Sequence, residues 1–156
     1  MKFRKLTALF LVLCMMLSLG VSAFAAEKTP TGYLTWTLDD SGTLSISGNG
    51  RIAAFTRADD QPWHEMRENI TSVKFDPGAH MVIPDVAYWF AGCINLKSCV
   101  LPSFTNLGAD AFKDCANLNR LQLHYNDEGF YISDTAFSGV DTTALEIVTC
   151  DEVTMG

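Results

Sequence analysis

The stretch Phe90-Ala-Gly-Cys93-Ile-Asn-Leu96-Lys-Ser-Cys99-Val-Leu101-Pro returns 22 residues later as Phe112-Lys-Asp-Cys115-Ala-Asn-Leu118-Asn-Arg-Leu121-Gln-Leu123-His. The match includes Asn95 and Asn117 as well as the apolar positions, so a unit of structure is being repeated and not hydropathy alone. A third copy follows a three-residue insertion around Tyr125 to Gly129, with Ile132 to Val140 matching Leu107 to Cys115 at an offset of 25. Beyond it Leu145 and Ile147 repeat the pair Leu121 and Leu123. Upstream, Ile70, Val73 and Phe75 have the spacing of Leu96, Cys99 and Leu101. Four strand positions and three turn-and-helix positions are thereby marked out.

A period of 22 to 25 with apolar residues at steps of three and two predicts an α/β-type solenoid. Each repeat makes one short parallel strand and a short helical or 3-10 return segment, and none can bury its apolar face alone. Stacked strands lie about 4.8 Å apart with alternate side chains facing in and out. The inward columns are Val73, Cys99, Leu121, Leu145 and Phe75, Leu101, Leu123, Ile147, backed by Phe90, Cys93, Leu96, Phe112, Cys115, Leu118 and Phe137 from the return segments. Each buried member contributes roughly 1.5 to 3 kcal/mol by area, so these ladders outweigh any single polar contact.

The segment Leu107-Gly-Ala-Asp-Ala-Phe-Lys-Asp-Cys-Ala-Asn-Leu-Asn-Arg-Leu-Gln-Leu123 closely resembles the BspA-like, Treponema-type leucine-rich repeat of bacterial surface proteins. The lead-in from Leu34 through Trp36, Gly42, Leu44 and Ile46 to Gly50, followed by Pro62-Trp63, resembles that family's usual front end. The resemblance covers roughly Leu34 to Val148 and implies a leucine-rich repeat fold that binds other molecules at a cell surface. Two positions depart from the pattern: Trp89 stands where the repeat has Ala, and Val140 stands where it has Cys, so the first and last turns should be distorted. In the lead-in, Trp36 and Leu38 alternate with polar residues, Asp39-Asp40-Ser41-Gly42 supplies a turn, and Leu44 and Ile46 resume the alternation. That pattern predicts a β-hairpin cap over the open N-terminal end of the stack. Gln61 to Glu68 reads as a short helix with Pro62 in its first turn. The organisation expected is a cap over residues 27–69, repeats over 70–148 and a tail over 149–156, which either folds back or leaves the last strand edge free for a partner.

Lys2, Arg4 and Lys5, the apolar run from Leu6 to Val21, and Ala23-Phe24-Ala25-Ala26 read in order as a cleaved export signal over residues 1–26. Leu13 before Cys14 does not fit a lipid-attachment site. Loss of the three basic residues takes the formal net charge from −7 to about −10, which disfavours nucleic acid and anionic lipid as partners. The mature form is expected to be secreted or held at the bacterial cell surface without spanning the membrane.

Chemistry is sparse. Cys93, Cys99 and Cys115 read as small buried hydrophobes, although neighbouring rungs would bring Cys93 and Cys115 close enough for a disulfide; Cys150 has no evident mate. Without a C-x-x-C pair, zinc is not expected. His64, His80 and His124 lack metal-binding spacing, and Asp39-Asp40 and Asp59-Asp60 suit turns better than a catalytic pair. Asn69-Ile-Thr71 has the pattern of a glycosylation sequon with Ile70 pointing inward. No catalytic residue, metal or cofactor is expected. What remains is the outward side of the sheet, the usual binding surface of a solenoid. Its candidate residues are Ser72, Lys74, Ser98, Val100, Arg120, Gln122, His124 and Glu146, with Arg120 and Gln122 central. The expected function is protein or glycan binding, or adhesion. The alternative is a structural or accessory module, a stub of a larger surface protein or a homo-oligomer joined through its last strand edge.

Overall fold

A computed structural model describes residues 21–29, 32–103, 105–124 and 130–150. Most of the expected export signal, the Tyr125–Gly129 insertion and the last six residues lie outside the described residues. Among the described residues eight strands form a single sheet: β1 (Val21–Thr29), β2 (Gly32–Asp39), β3 (Thr43–Arg51), β4 (Ser72–Phe75), β5 (His80–Val82), β6 (Ser98–Val100), β7 (Arg120–His124) and β8 (Glu146–Cys150). The order is β1-β2-β3-β4-β6-β7-β8, with β5 attached to the far end of β3. From β3 onward every pairing is parallel, as a chain that coils in one direction requires. The result is a β-solenoid of about four turns.

The 22-residue offset is the rung spacing, since Ser98, Cys99 and Val100 pair with Arg120, Leu121 and Gln122. The inward column Leu44, Val73, Cys99, Leu121 runs through four strands, and all four residues are buried. Behind it the return segments carry a second ladder, in which the Phe90 and Phe112 rings stack at 5.2 Å and Phe112 and Phe137 at 5.7 Å. The matched asparagines also gain a reason: Asn95 Nδ2 donates to the Glu68 carbonyl and Asn117 Nδ2 to the Ile94 carbonyl, each at 2.8 Å. Each amide thus satisfies a carbonyl of the rung before it.

Three expectations are corrected. The return segments of the repeats are turns and not helices, because their amides bond across rungs: Tyr88, Phe90 and Gly92 donate to the carbonyls of Ala109, Ala111 and Lys113 at 2.8–3.0 Å. An N–H engaged in that way is lost to an i→i−4 helix bond. Left-handed backbone at Gly92, Asp114 and Gly139 (φ 79°, 60° and 81°) turns the chain at the same place in each rung. Glycine has no Cβ penalty there, and Asp tolerates the conformation better than most residues.

The last strand is the second correction. Leu121 stands beside Ile147 and Leu123 beside Thr149, an offset of 26 where the apolar pattern suggested 24. A turn capped by Asp141, whose Oδ1 accepts from the Thr143 N–H and hydroxyl, takes up the extra chain. Leu145 is therefore tucked partly under the core. Ile147 occupies the inward column yet is 47% exposed and is not a core residue, since no described rung covers it.

The third correction concerns the cap. The hairpin β2–β3 covers the open edge by joining the sheet, with β3 parallel to β4 from Thr43↔Ser72 to Ile46↔Phe75, instead of lying across it. Beneath it Trp36, Phe55, Trp63, Trp89 and Phe90 make an aromatic cluster with centroids 5.2–6.3 Å apart. Trp89, in the column continued by Ala111 and Ala136, fills the wider space under the hairpin. The expected helix after Gln61 is a 3-10 turn, His64–Asn69. It is anchored by buried Gln61, which donates to the Tyr88 and Ala91 carbonyls, and by Trp63 Nε1, which donates to the Trp89 carbonyl at 3.1 Å.

Candidate functional site

Because β2 and β3 extend the sheet, the outward side chains form rows across as many as six strands. A first row runs through Thr43, Ser72, Ser98, Arg120 and Glu146. A middle row begins Thr37, Ser45, Lys74 and continues through Val100, Gln122 and Val148. A third, shorter row holds Thr35, Ser47 and Asp76. Of the face predicted from sequence, Ser72, Ser98, Arg120 and Glu146 therefore lie in one row and Lys74, Val100 and Gln122 in the next, with His124 at the far end of β7. Glu146 stands beside Arg120 and not beside Gln122, a consequence of the shifted last strand.

The rows differ in how far they satisfy themselves. In the first, Ser72 Oγ donates to Thr43 Oγ1 at 3.1 Å, and Arg120 Nη1 donates to Glu146 Oε2 at 2.8 Å. That ion pair is half exposed, so it adds little to stability, but it occupies the guanidinium. In the third row Thr35 Oγ1 donates to the Ser47 carbonyl at 3.2 Å and Ser47 Oγ to Asp76 Oδ2 at 3.1 Å. Asp76 Oδ1 accepts from the Gly78 N–H at 2.9 Å. The middle row is different: among the described residues the side chains of Thr37, Ser45, Lys74 and Gln122 have no hydrogen-bond or ion-pair partner. The ammonium of Lys74 acts only at a distance on Asp39, whose carboxyl is held below its ordinary value chiefly by the Ser41 hydroxyl, then by the Thr43 N–H, and last by Lys74.

A groove of about 560 Å³ lies over this middle row where the hairpin meets β4, lined among others by Thr35, Thr37, Ser45, Ser47, Lys74 and Asp76. A second, of about 510 Å³, continues from Lys74 and Asp76 past Val82, Val100 and Pro102 to His124. Both grooves are lined by the segment Lys74 to Pro77, so they adjoin there, and the pair is termed the channel. The hairpin's contribution was missed in the sequence because Thr35, Thr37, Ser45 and Ser47 had been assigned to a lid. Their alternation with Leu34, Trp36, Leu44 and Ile46 was the available signal.

Elsewhere the side chains hold structure. Burial pushes the Cys93 thiol up to about 12 and the Cys99 and Cys115 thiols well above their ordinary value. All three cysteines are free and buried, and Cys115 Sγ donates to the Phe90 carbonyl at 3.1 Å. His64 bonds locally to the Gln61 carbonyl and to Glu65. Among the described residues no cluster of three or more His, Cys, Asp or Glu is placed to hold a metal ion, and no helix is long and apolar enough to cross a membrane.

This geometry defines a solenoid repeat protein with one short parallel strand per turn and a channel over the strands, lined by apolar as well as polar residues. No protein-family model and no curated protein matches the chain. Among solved structures, it is similar to a leucine-rich repeat protein from Eubacterium ventriosum, with 18% identity and a TM-score of 0.48 over 85% of this chain and 41% of that one. The chain thus spans about two-fifths of the length of that protein.

Proposed function

We propose that this protein is a non-catalytic recognition module, exported by a bacterium, that binds an extended extracellular ligand, a protein or a glycan, along the outward face of its sheet. The single observation that carries the reading is the middle row: Thr37, Ser45 and Lys74 are left without partners and line a groove, between two rows that hold hydrogen bonds of their own. Unpaired groups on a rigid scaffold bind with little reorganisation. The resemblance of the repeat to the BspA-like pattern supports an adhesive role, and the charged, apolar and small-residue order of the first 26 residues supports export.

Capture of immobilised matrix proteins and glycans by the wild-type protein and by a Val100→Glu, Gln122→Ala double variant tests the assignment. Loss of capture in the variant, with unchanged melting, is the expected result. Undiminished capture of an identified ligand would remove the face from consideration.

A second reading, self-association through β8, draws on the exposure of Ile147 at the end of the stack. Light scattering across a concentration series decides it. A mass of one chain throughout rules edge assembly out.

A further inference from the structure

Resting on the recognition role proposed above, the chemistry of the middle row narrows the ligand class. We infer that the channel takes a saccharide chain bearing carboxylates, of the uronic-acid type, with one carboxylate at Lys74 and sugar hydroxyls against Thr37 and Ser45.

Three features lead there. Thr37 and Ser45 stand beside Lys74 in consecutive strands and present hydroxyls that both donate and accept, as sugar hydroxyls do. Lys74 has no ion-pair partner among the described residues and offers a carboxylate a charge-assisted hydrogen bond. The formal net charge, −7 for the whole sequence and about −10 without the export signal, repels a dense polyanion, which leaves a ligand whose charges are spaced by neutral polar units.

A protein partner fits less well. Protein interfaces draw most of their energy from aromatic and arginine anchors seated in pockets, whereas the exposed apolar residues here are the valines Val82 and Val100, with Arg120 already held by Glu146. The first groove, about 560 Å³, is of the size that small-ligand sites have. Its continuation past Val100 to His124 crosses the strands from β2 to β7, roughly 19 Å at ordinary strand spacing, which suits a chain better than a single ring.

The test measures binding to the protein by calorimetry with three probes: a tetramer in which a uronic acid alternates with a neutral hexose, the uncharged tetramer with each uronic acid replaced by its hexose, and a tetraglutamate peptide. The wild-type protein should bind the uronate at least tenfold tighter than the uncharged tetramer, and Lys74→Gln should erase that difference. Thr37→Val with Ser45→Ala should weaken both saccharides about tenfold. All three side chains are on the surface, so unchanged melting of each variant is the accompanying control. Equal binding of tetraglutamate would make the site a detector of charge and assign it to acidic peptides. Failure of the uronate to bind, or a Lys74→Gln variant indistinguishable from wild type, would overturn the assignment. Should the saccharides fail while Val100→Glu, Gln122→Ala still abolishes capture of a protein, the ligand class is wrong and the face stands. Should that double variant capture normally, the face itself is wrong.

Discussion

The two inner rungs and the last one are built from the same repeat, yet they solve different problems. Between Phe90 and Leu123 each residue has a copy above or below: Phe90 over Phe112, Cys99 over Leu121, Asn95 and Asn117 each reaching one rung back. The last rung has a neighbour on one side only among the described residues. Phe137 and Leu145 are partly buried there, and Ile147 is 47% exposed in a column whose other members are closed. An inward-facing position is therefore worth what the next rung covers, and sequence pattern alone does not set that value.

The largest expected effect tests this directly. Phe112, sandwiched between Phe90 and Phe137 and fully buried, should cost about 4 kcal/mol on replacement by Ala. Phe137→Ala, with one ring neighbour and a partly open far side, should cost about 2 kcal/mol. Chemical denaturation of the two variants reads the difference, and equal losses would mean that the last rung is as closed as the inner ones.

Backbone strain offers a smaller test that runs the other way. Gly92 and Gly139 hold the same left-handed position, so Ala costs about 1 to 2 kcal/mol at either. A Cβ on Gly92 meets the mobile guanidinium end of Arg67 at 3.1 Å, whereas one on Gly139 meets Asp114 Oδ1 at 2.6 Å and its Cα at 3.2 Å. Gly139→Ala should be the worse of the pair despite lying in the looser rung. The reverse order in thermal melts would show that the last turn yields to relieve the contact.

Much of this architecture could be read in the residues. The offset of 22 between Cys99 and Leu121 is the physical rung spacing, and Trp89 in an alanine column announced that the first turn differs. Three features were hidden for identifiable reasons. Helix was expected in the return segments because their apolar spacing suits a tight coil, but the amides of Tyr88, Phe90 and Gly92 find carbonyls one rung away, a long-range competition that local pattern does not register. The last strand was placed two residues out because Leu145 and Ile147 are equally apolar, and only the Asp141 turn distinguishes the alternatives. In the candidate site, Lys74, Val100 and Gln122 are legible in the sequence, and of the two residues it places at the centre, Gln122 lies in the middle row while Arg120 is held by Glu146, a pairing that depends on the two-residue shift of the last strand. Thr37 and Ser45 were overlooked because a hairpin treated as a lid contributes no face.

Between the same two regions, the asparagine column gives an effect of about 1 kcal/mol. Asn117 Nδ2 donates to the Ile94 carbonyl, and replacement by Ala leaves that acceptor to water at the edge of the sheet. Asn95→Ala should cost the same within a few tenths, since its bond to Glu68 is of equal length. The position 25 residues beyond Asn117 is the exposed Thr142, where Thr142→Ala should be silent. A loss at Thr142 comparable to that at Asn117 would show that the last rung also depends on this column.

The smallest effect is one absent at neutral pH. In the thiol column Cys93 and Cys115 are buried in the inner rungs, and the corresponding residue of the last rung is Val140, only partly buried. Burial raises the folded Cys93 value from 9.0 to about 12, so the fold favours the protonated thiol. That preference contributes its full stability below pH 9, where folded and unfolded thiols are alike protonated. It is lost progressively as the pH rises from 9 towards 12, because the unfolded chain ionises first. Denaturation midpoints should therefore be flat from pH 7 to 9 and decline above, with Cys93→Ala reducing the slope of that decline. Since the thiolate is the reactive form, Cys93, Cys99 and Cys115 should resist an alkylating reagent at pH 8 in the native protein and react on unfolding. A Val140→Cys variant should be labelled under native conditions. Peptide mapping of the alkylated sites separates the four positions, and native labelling of Cys93 or Cys115 at the rate of a cysteine at 140 would mean that the inner rungs open as readily as the last.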